Sequence, residues 1–269
     1  MEHIIEEGKT RQQIVSEFYG EYSEDGRLDR TVHGRLEFAT TMNYIHRYVK
    51  ADSKILEIGA GTGRYSISLA KEGYDVTAVE LVKSNLEVLR SNSIGIKSIH
   101  PFQGDGTDLS RFEDNTFDVT LVFGPMYHLY EKDDVNKAID EAIRVTRKDG
   151  IILYAFLSIF GIMYSNYFEG NWAAGEVENF TSDYKIKHFK EQLFTGYDIV
   201  DFEDLFREKE VEHLVTTGVD GIIECIERRE DFAVTEEDFE ALAKWYLAFC
   251  EKRELLGSTN HLLYICRKG

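Results

Sequence analysis

Two periodicities alternate along the chain. From about residue 53 onward, short runs rich in β-branched and aromatic residues are separated by stretches whose apolar positions recur at helical spacing, the pattern of a parallel sheet with crossover helices. Strands are predicted at 54–58, 75–80, 98–103, 117–123 and 150–158. A helix is predicted over 134–146, where Val135, Ala138, Ile139, Ala142 and Ile143 share one face and Glu131, Asp133 and Asp134 favour the positive end of the helix dipole. Upstream, Phe38, Met42, Ile45 and Val49 repeat at helical spacing, which predicts a helix over 31–50 packed on the core. Downstream, 211–217 reads as a strand. A further helix opens at Thr235, with Asp238 three residues on in a capping-box-like start and Phe239, Leu242, Ala243, Tyr246 and Phe249 as its apolar face. The closing HLLYICRKG is a short apolar strand ending in charge.

The pattern breaks between 159 and 200. Ten aromatics fall in these 42 positions, against 13% for the chain, with several glycines and no strand alternation. A linker is polar and poor in aromatics, so this segment is not one. It is either a lid over a binding cleft or a helical insertion with its own small core.

Charge narrows the partners. With 31 basic and 49 acidic residues the net charge is -18, and the densest basic cluster, Arg228 and Arg229, is flanked by Glu227, Glu230 and Asp231. Phosphate backbones need cations, so nucleic acid is not expected as a partner. The three cysteines, Cys225, Cys250 and Cys266, are far apart and have no C-x-x-C spacing, so neither a disulfide framework nor a metal site is expected. The opening MEHIIEEGKT lacks the pattern of a signal peptide and no apolar run reaches the length of a membrane span, which makes the cytoplasm the expected location and a membrane partner unexpected.

The most informative stretch is KILEIGAGTGRYSISLAKEGYDVTAVEL, residues 54–81: strand, glycine loop, helix, and a second strand ending in an acid. Gly59, Gly61 and Gly63 permit positive backbone torsions and remove side chains where the main chain approaches a ligand. Glu80 lies 21 positions after Gly59, where a carboxylate can accept both hydroxyls of a ribose. Such a constellation suits an adenosine-containing cofactor. A dinucleotide fingerprint would be G-x-G-x-x-G, but here its last glycine is replaced by Arg64 and the pattern is E-x-G-x-G-x-G.

That pattern resembles the first motif of the class I S-adenosylmethionine-dependent methyltransferases. PFQGDGTDL, 101–109, is similar to the family's G-D segment, and FDVTLVFGPMYHL, 117–129, to its fourth strand and following loop. The F-G-P-M-Y-H-L loop looks like the L-G-P-L-Y-H-L loop of small-molecule methyltransferases of the quinone-biosynthesis type. It departs from the N-P-P-Y motif of amino-group DNA and protein-glutamine methyltransferases.

The resemblance implies an α/β fold: a Rossmann-like mixed seven-stranded sheet with helices on both faces, N-terminal helices and an aromatic-rich cap insertion. Its segments would be an N-terminal helical cap at 1–50, an S-adenosylmethionine-binding core at 51–158, a cap or lid at 159–200 and the rest of the core sheet at 201–269. It implies cofactor contacts from Glu57 at the methionine end, Gly59, Ala60, Gly61 and Gly63 along the loop, Glu80 and Leu81 at the ribose, Asp105 and Gly106 at the adenine, and Phe123 beside the cleft.

Transfer of a methyl group from a sulfonium is an in-line displacement with a neutral leaving group, so no metal is required. Aromatic faces suit the cation, at about 0.5 to 2 kcal/mol each if desolvated; Tyr19, Tyr22, Phe123 and Tyr127 are candidates. His128 and Tyr127 are the expected catalytic residues. His128 acts either as the base for a hydroxyl or ammonium acceptor or as a hydrogen-bonded structural residue, while His33 and His261 lie in no loop that the resemblance places at the cleft. The expected acceptor is a small, partly apolar or aromatic molecule. Two alternatives stand beside methyl transfer: a non-catalytic adenosine-ligand regulatory module and a nicotinamide-dependent oxidoreductase.

Overall fold

A computed structural model describes residues 8–21, 24–190 and 192–269. The strands are β1 (Lys54–Ile58), β2 (Asp75–Glu80), β3 (Ile99–Gln103), β4 (Phe117–Val122), β5 (Thr146–Ser158), β6 (Gly196–Tyr197), β7 (Val211–Gly218) and β8 (His261–Lys268). The helices of the first half are α1 (Arg11–Glu21), α2 (Arg27–Arg30), α3 (Val32–Tyr48), α4 (Arg64–Lys71), α5 (Lys83–Asn92), α6 (Pro125–His128) and α7 (Lys132–Val145). Those of the second half are α8 (Ile159–Phe168), α9 (Trp172–Asn179), α10 (Ile199–Asp204), α11 (Ile223–Ile226), α12 (Glu236–Phe249) and α13 (Arg253–Leu256). The fold is the expected Rossmann-like α/β type with a mixed sheet, and among the described residues the two-residue β6 brings the strands to eight where seven were expected.

The chain divides into two compact units. The first comprises the described residues of Met1–Asp25, Lys50–Ile152 and His188–Thr195. Its strand order is β3-β2-β1-β4-β5. Ile55 of β1 stands opposite Val76 of β2 on one side and Val119 of β4 on the other, all parallel. Ile55, Leu56, Ile58, Val76, Ala78, Val79, Val119, Leu121 and Val122 are at most 2% exposed. Parallel strands covered on both faces must be apolar on both, which is why these runs do not alternate. Helix α7 buries the predicted Val135, Ala138, Ile139 and Ala142. Strand β5 begins four residues before the predicted 150, at Thr146, whose hydroxyl is paired with Thr120 Oγ1 at 2.7 Å and donates to the Ala142 carbonyl at 2.6 Å.

The second unit comprises Gly26–Val49, Leu153–Lys187 and Gly196–Gly269. Here β6 runs parallel to β5, and β7 and β8 form an antiparallel pair with a bulge between His213 and Val215. Helix α3 starts where the Thr31 side chain accepts from Gly34 N, and Met42 and Ile45 of the predicted stripe are buried. Thr235 caps α12 by accepting from Asp238 N at 3.1 Å. The apolar face predicted for that helix needs correcting. Only Tyr246 of the five is buried, Phe249 is 41% exposed, and Phe239 is covered by the Arg35 guanidinium at 3.9 Å. In α8, Ile159, Gly161 and Met163 are buried while Phe160, Tyr164, Tyr167 and Phe168 are exposed.

An ionic network ties α3, α11 and the β8 end of this unit. Arg27 donates to both oxygens of Glu37 at 2.9 and 3.0 Å, and His261 Nδ1 donates to Asp220 Oδ2 at 2.7 Å. Asp220 Oδ1 also accepts from the Thr259 hydroxyl and the backbone amides of Asn260 and His261. Glu224 accepts from Asn260 Nδ2 and Arg228, and Glu227 pairs with His33 Nδ1. Burial alone would strip the His261 proton, but the Glu37 and Asp220 carboxylates outweigh it and push the imidazole up to about 9. Its folded value lies above the unfolded one of roughly 6.5, so its contribution is full below that value and is lost as pH rises through 9. The stability difference between wild type and His261→Gln, measured by denaturant unfolding, is therefore expected to shrink by about 2–3 kcal/mol between pH 6.5 and 10. A difference that stays constant over that range would show that His261 is not held as a cation.

Candidate active site

The first unit gathers the chemistry at the C-terminal ends of its parallel strands. After β1 the chain turns back on β2, with Gly59 N and Ala60 N donating to Val79 O at 2.8 and 3.1 Å. Gly59 and Gly61 have φ of 81° and 53°, a left-handed conformation that side chains disfavour. The two are glycine for different reasons. A Cβ on Gly59 would lie 2.7 Å from Phe123 O, whereas one on Gly61 would meet nothing within 4 Å. Gly63, at the start of α4, has its third reason in the Leu89 side chain, 2.9 Å from a built Cβ.

Two buried carboxyl groups flank this loop. Glu80, 5% exposed at the end of β2, accepts Gly61 N on Oε2 and Val82 N on Oε1, both at 2.7 Å. Burial pushes its pKa up in spite of those amides. Glu57, 1% exposed in β1, accepts the Ser66 hydroxyl, and burial raises it to about 8. At neutral pH Glu57 therefore carries its proton. Ala60 is buried and Leu81 half-buried beside them.

Asp105 sits in the turn after β3. Its Oδ1 accepts Thr107 N at 3.0 Å and Thr107 Oγ1 at 2.9 Å; its Oδ2 accepts Arg11 Nη2 at 2.6 Å and Gln12 Nε2 at 2.8 Å, both from α1. Burial would raise its pKa, but these donors and the Arg11 charge lower it, so it is a carboxylate. Gly106 lets the turn close on Pro125, whose Cγ is 2.9 Å from a built Cβ.

The loop after β4 begins at Phe123, 8% exposed, with its amide on Ile58 O at 2.9 Å and the Tyr65 ring edge-on at 5.2 Å. Pro125–His128 then make one helical turn, α6. His128 is buried, and its Nδ1 lies 2.7 Å from Leu193 O. A carbonyl only accepts, so the proton is on Nδ1, and Nε2 accepts the Tyr19 hydroxyl at 3.1 Å. Burial pushes the imidazole down to about 4 against the Leu193 bond, with the Arg11 charge adding to the fall. The Tyr127 carbonyl accepts Thr195 N at 2.7 Å, and Phe194 leans over the imidazole at 5.3 Å with Phe18 edge-on behind it at 5.6 Å.

Thus Glu57, Gly59, Ala60, Gly61, Gly63, Glu80 and Leu81 line one turn, while Asp105, Gly106, Phe123, Tyr127 and His128 come from the two neighbouring strand ends. Sequence inspection did not single out Arg11, Gln12, Leu193 or Phe194. Tyr19 was legible only as an aromatic. Arg11 lies 94 residues from Asp105 and Leu193 lies 65 from His128, distances at which no spacing rule operates. Tyr22 lies outside the described residues.

Comparison with known proteins finds methyltransferases. The methyltransferase-domain family profile matches residues 56–154. A demethylmenaquinone methyltransferase of Clavibacter sepedonicus is 36% identical over 104 residues, 38% of this chain and 40% of that one. The ubiquinone biosynthesis O-methyltransferase of Rickettsia typhi is 24% identical over 196 residues, 69% and 76% of the two chains. A solved Thermotoga maritima structure, an S-adenosylmethionine-dependent methyltransferase described as a possible histamine N-methyltransferase, superposes with a TM-score of 0.60 at 16% identity over 96% of this chain and 99% of that one, a likeness of fold. The chain spans less than half the length, 40% to 48%, of three of its curated relatives.

The tautomer of His128 is directly measurable. Nitrogen-detected NMR on ring-labelled protein is expected to show a neutral imidazole protonated on Nδ1 that stays neutral at pH 6 and titrates near 4. A midpoint at the free value of about 6.5 would mean that the ring is solvated.

Proposed function

We propose that this protein, whose residues 56–154 match a methyltransferase domain, is a class I enzyme that transfers the methyl group of S-adenosylmethionine to a small-molecule acceptor with a nucleophilic oxygen. The observation that carries the cofactor is the pairing of Glu80 with Gly61. A buried carboxylate at the end of β2 is held by the amide of a left-handed glycine that faces open space. That suits a ribose whose hydroxyls donate to Glu80 while the rest of the cofactor follows the loop. Glu57 would face the methionine end and Ala60 and Leu81 flank the sugar. Asp105 and Gly106 would hold the adenine, and Phe123 would form the wall. Arg64 in place of the third dinucleotide glycine argues against a nicotinamide cofactor.

When bound, S-adenosylmethionine supplies a methyl group on a sulfonium, which leaves as a neutral thioether. The chain must align the acceptor and exclude water. Phe18, Tyr19, His128 and Phe194 form an aromatic cluster suited to a partly apolar or aromatic acceptor, and Leu193 and Phe194 of the aromatic-rich segment serve as its wall. Tyr127, one residue before His128, adds a further face.

Proton removal runs through two residues. The acceptor hydroxyl donates to Tyr19 Oη as the Tyr19 proton passes to His128 Nε2, whose other nitrogen stays bonded to Leu193 O. A base with a pKa near 4 is too weak to ionise a resting alcohol, and it would not strip a methylated ammonium. An oxygen already forming its bond to carbon becomes strongly acidic, and a weak base suffices to take that proton late in the displacement. This favours a hydroxyl or enol over an amine.

Calorimetry with S-adenosylhomocysteine and NAD tests the cofactor. The former is expected to bind, and Glu80→Ala to weaken it by about 1.5 to 3 kcal/mol, the size of lost charge-assisted hydrogen bonds; equal or tighter binding of NAD would sink the assignment. Transfer of isotope from methyl-labelled cofactor to a panel of small phenols and amines tests the rest. Label should enter the phenols. Tyr19→Phe and His128→Phe should each lower turnover by about 10² to 10⁴ with little change in cofactor affinity, whereas normal turnover in both would remove the proton path. Binding without any transfer would favour a regulatory adenosine-ligand module.

A further inference from the structure

Helix α12 buries one edge and leaves another bare. Tyr246 and, at its C-terminal end, Cys250 are buried, and Phe239 lies under the Arg35 guanidinium. Elsewhere on the helix Ala241, Trp245, Ala248 and Phe249 are exposed, at the i, i+4, i+7, i+8 spacing of one stripe. Trp245 is 52% exposed, and its ring lies 5.5 Å from that of Phe249. Apolar side chains scattered singly over a surface are ordinary. A tryptophan and a phenylalanine in contact, flanked by alanines along one stripe, make a surface for a partner.

Charge selects that partner. Asp238 and Lys252, both exposed, stand seven residues before and seven residues after Trp245. The first turn of α12 is acidic at Glu236, Glu237 and Asp238, whereas Lys252 follows its other end. Two copies of this helix laid antiparallel about Trp245 bring Asp238 of each to Lys252 of the other, and antiparallel helix dipoles attract. Residues equidistant from Trp245 then meet. Phe249 faces the partner's Ala241, and Ala248 faces the partner's Leu242, so that each large side chain meets a small one and the helices can approach closely. A parallel arrangement would set acid against acid.

We propose that the stripe on α12 is the interface of a homodimer, in which α12 packs antiparallel on α12 of a second copy across a two-fold axis at Trp245. Such an interface is isologous, one set of residues serving both sides. The two tryptophans at the axis anchor it, and the Asp238–Lys252 pairs at the rim fix its antiparallel sense. The contact is one helix wide, so association is reversible and depends on concentration.

Sedimentation velocity on the full chain, from about 1 to 200 µM protein to cover micromolar association, tests this. The wild type should pass from monomer to dimer across that range. Trp245→Glu, with folding checked by circular dichroism, should weaken association about a hundredfold or more, since both central anchors are lost. Lys252→Glu should weaken it about tenfold, and Asp238→Lys combined with Lys252→Glu should restore it to within about threefold, because both pairs are then reversed. Tyr167→Ser, on the exposed aromatic row of α8, should leave it unchanged. A wild type that stays monomeric throughout overturns the proposal, as does a dimer that survives Trp245→Glu or is lost in Tyr167→Ser. Failure of the double reversal to restore association overturns it too, because the antiparallel pairing requires that rescue.

Discussion

Two glycines that touch hold the site together. Gly59, leaving β1, and Gly124, leaving β4, approach so closely that a Cβ on Gly59 would lie 2.9 Å from the Gly124 Cα, and one on Gly124 would lie 3.1 Å from the Gly59 Cα. Neighbouring parallel strands end side by side, but their following loops normally need room for side chains. Removing both Cβ atoms lets the glycine loop and the His128 loop pack backbone to backbone. Because the order β3-β2-β1-β4 sends the chain to one side of β1 and later back to the other, this contact sits where the strand order reverses, the crevice at which open α/β sheets bind ligands.

From that contact the electrostatics follow. The loop must bring backbone amides to a carboxylate at the end of β2, and Gly61 N on Glu80 is the result. Packing this tight also desolvates its charges. Glu57 is pushed up to about 8 and His128 down to about 4 by the same cause, burial, acting on groups of opposite charge type. Both are neutral at pH 7. The site at rest therefore holds a protonated acid at one end and an unprotonated imidazole at the other, each with a hydroxyl partner, Ser66 and Tyr19.

The second unit solves a similar problem in the opposite way. His261 is half-buried, and the Glu37 and Asp220 carboxylates outweigh its desolvation and push it up to about 9. His128 is bonded to a carbonyl and a phenol, has the Arg11 charge acting against it and loses its proton; His261 has two carboxylates near it and keeps it. The sequence around each is uninformative about the difference, since the partners of His261 lie 41 residues away at Asp220 and further still at Glu37.

The sequence alone determined what is local or periodic. Strands β1, β2 and β4 were readable because burial on both faces leaves apolar runs with few alternatives, and α7 because its one apolar face repeats at helical spacing. The cap of α12 at Thr235 was readable because it spans three residues. The glycine loop and Glu80 were readable because one strand–loop–helix–strand unit carries both, so chain spacing is a fair measure of distance. Tertiary structure alone decided the rest. It placed Arg11 and Gln12 on Asp105, turned a turn-forming acid into the anchor of a distant helix, and fixed the tautomer of His128 through a backbone carbonyl at Leu193. It also turned the face of α12 so that Phe249 meets solvent. Contacts of this kind depend on which surfaces meet after the sheet has formed, and a hydrogen bond to a main-chain carbonyl leaves no mark on residue identity.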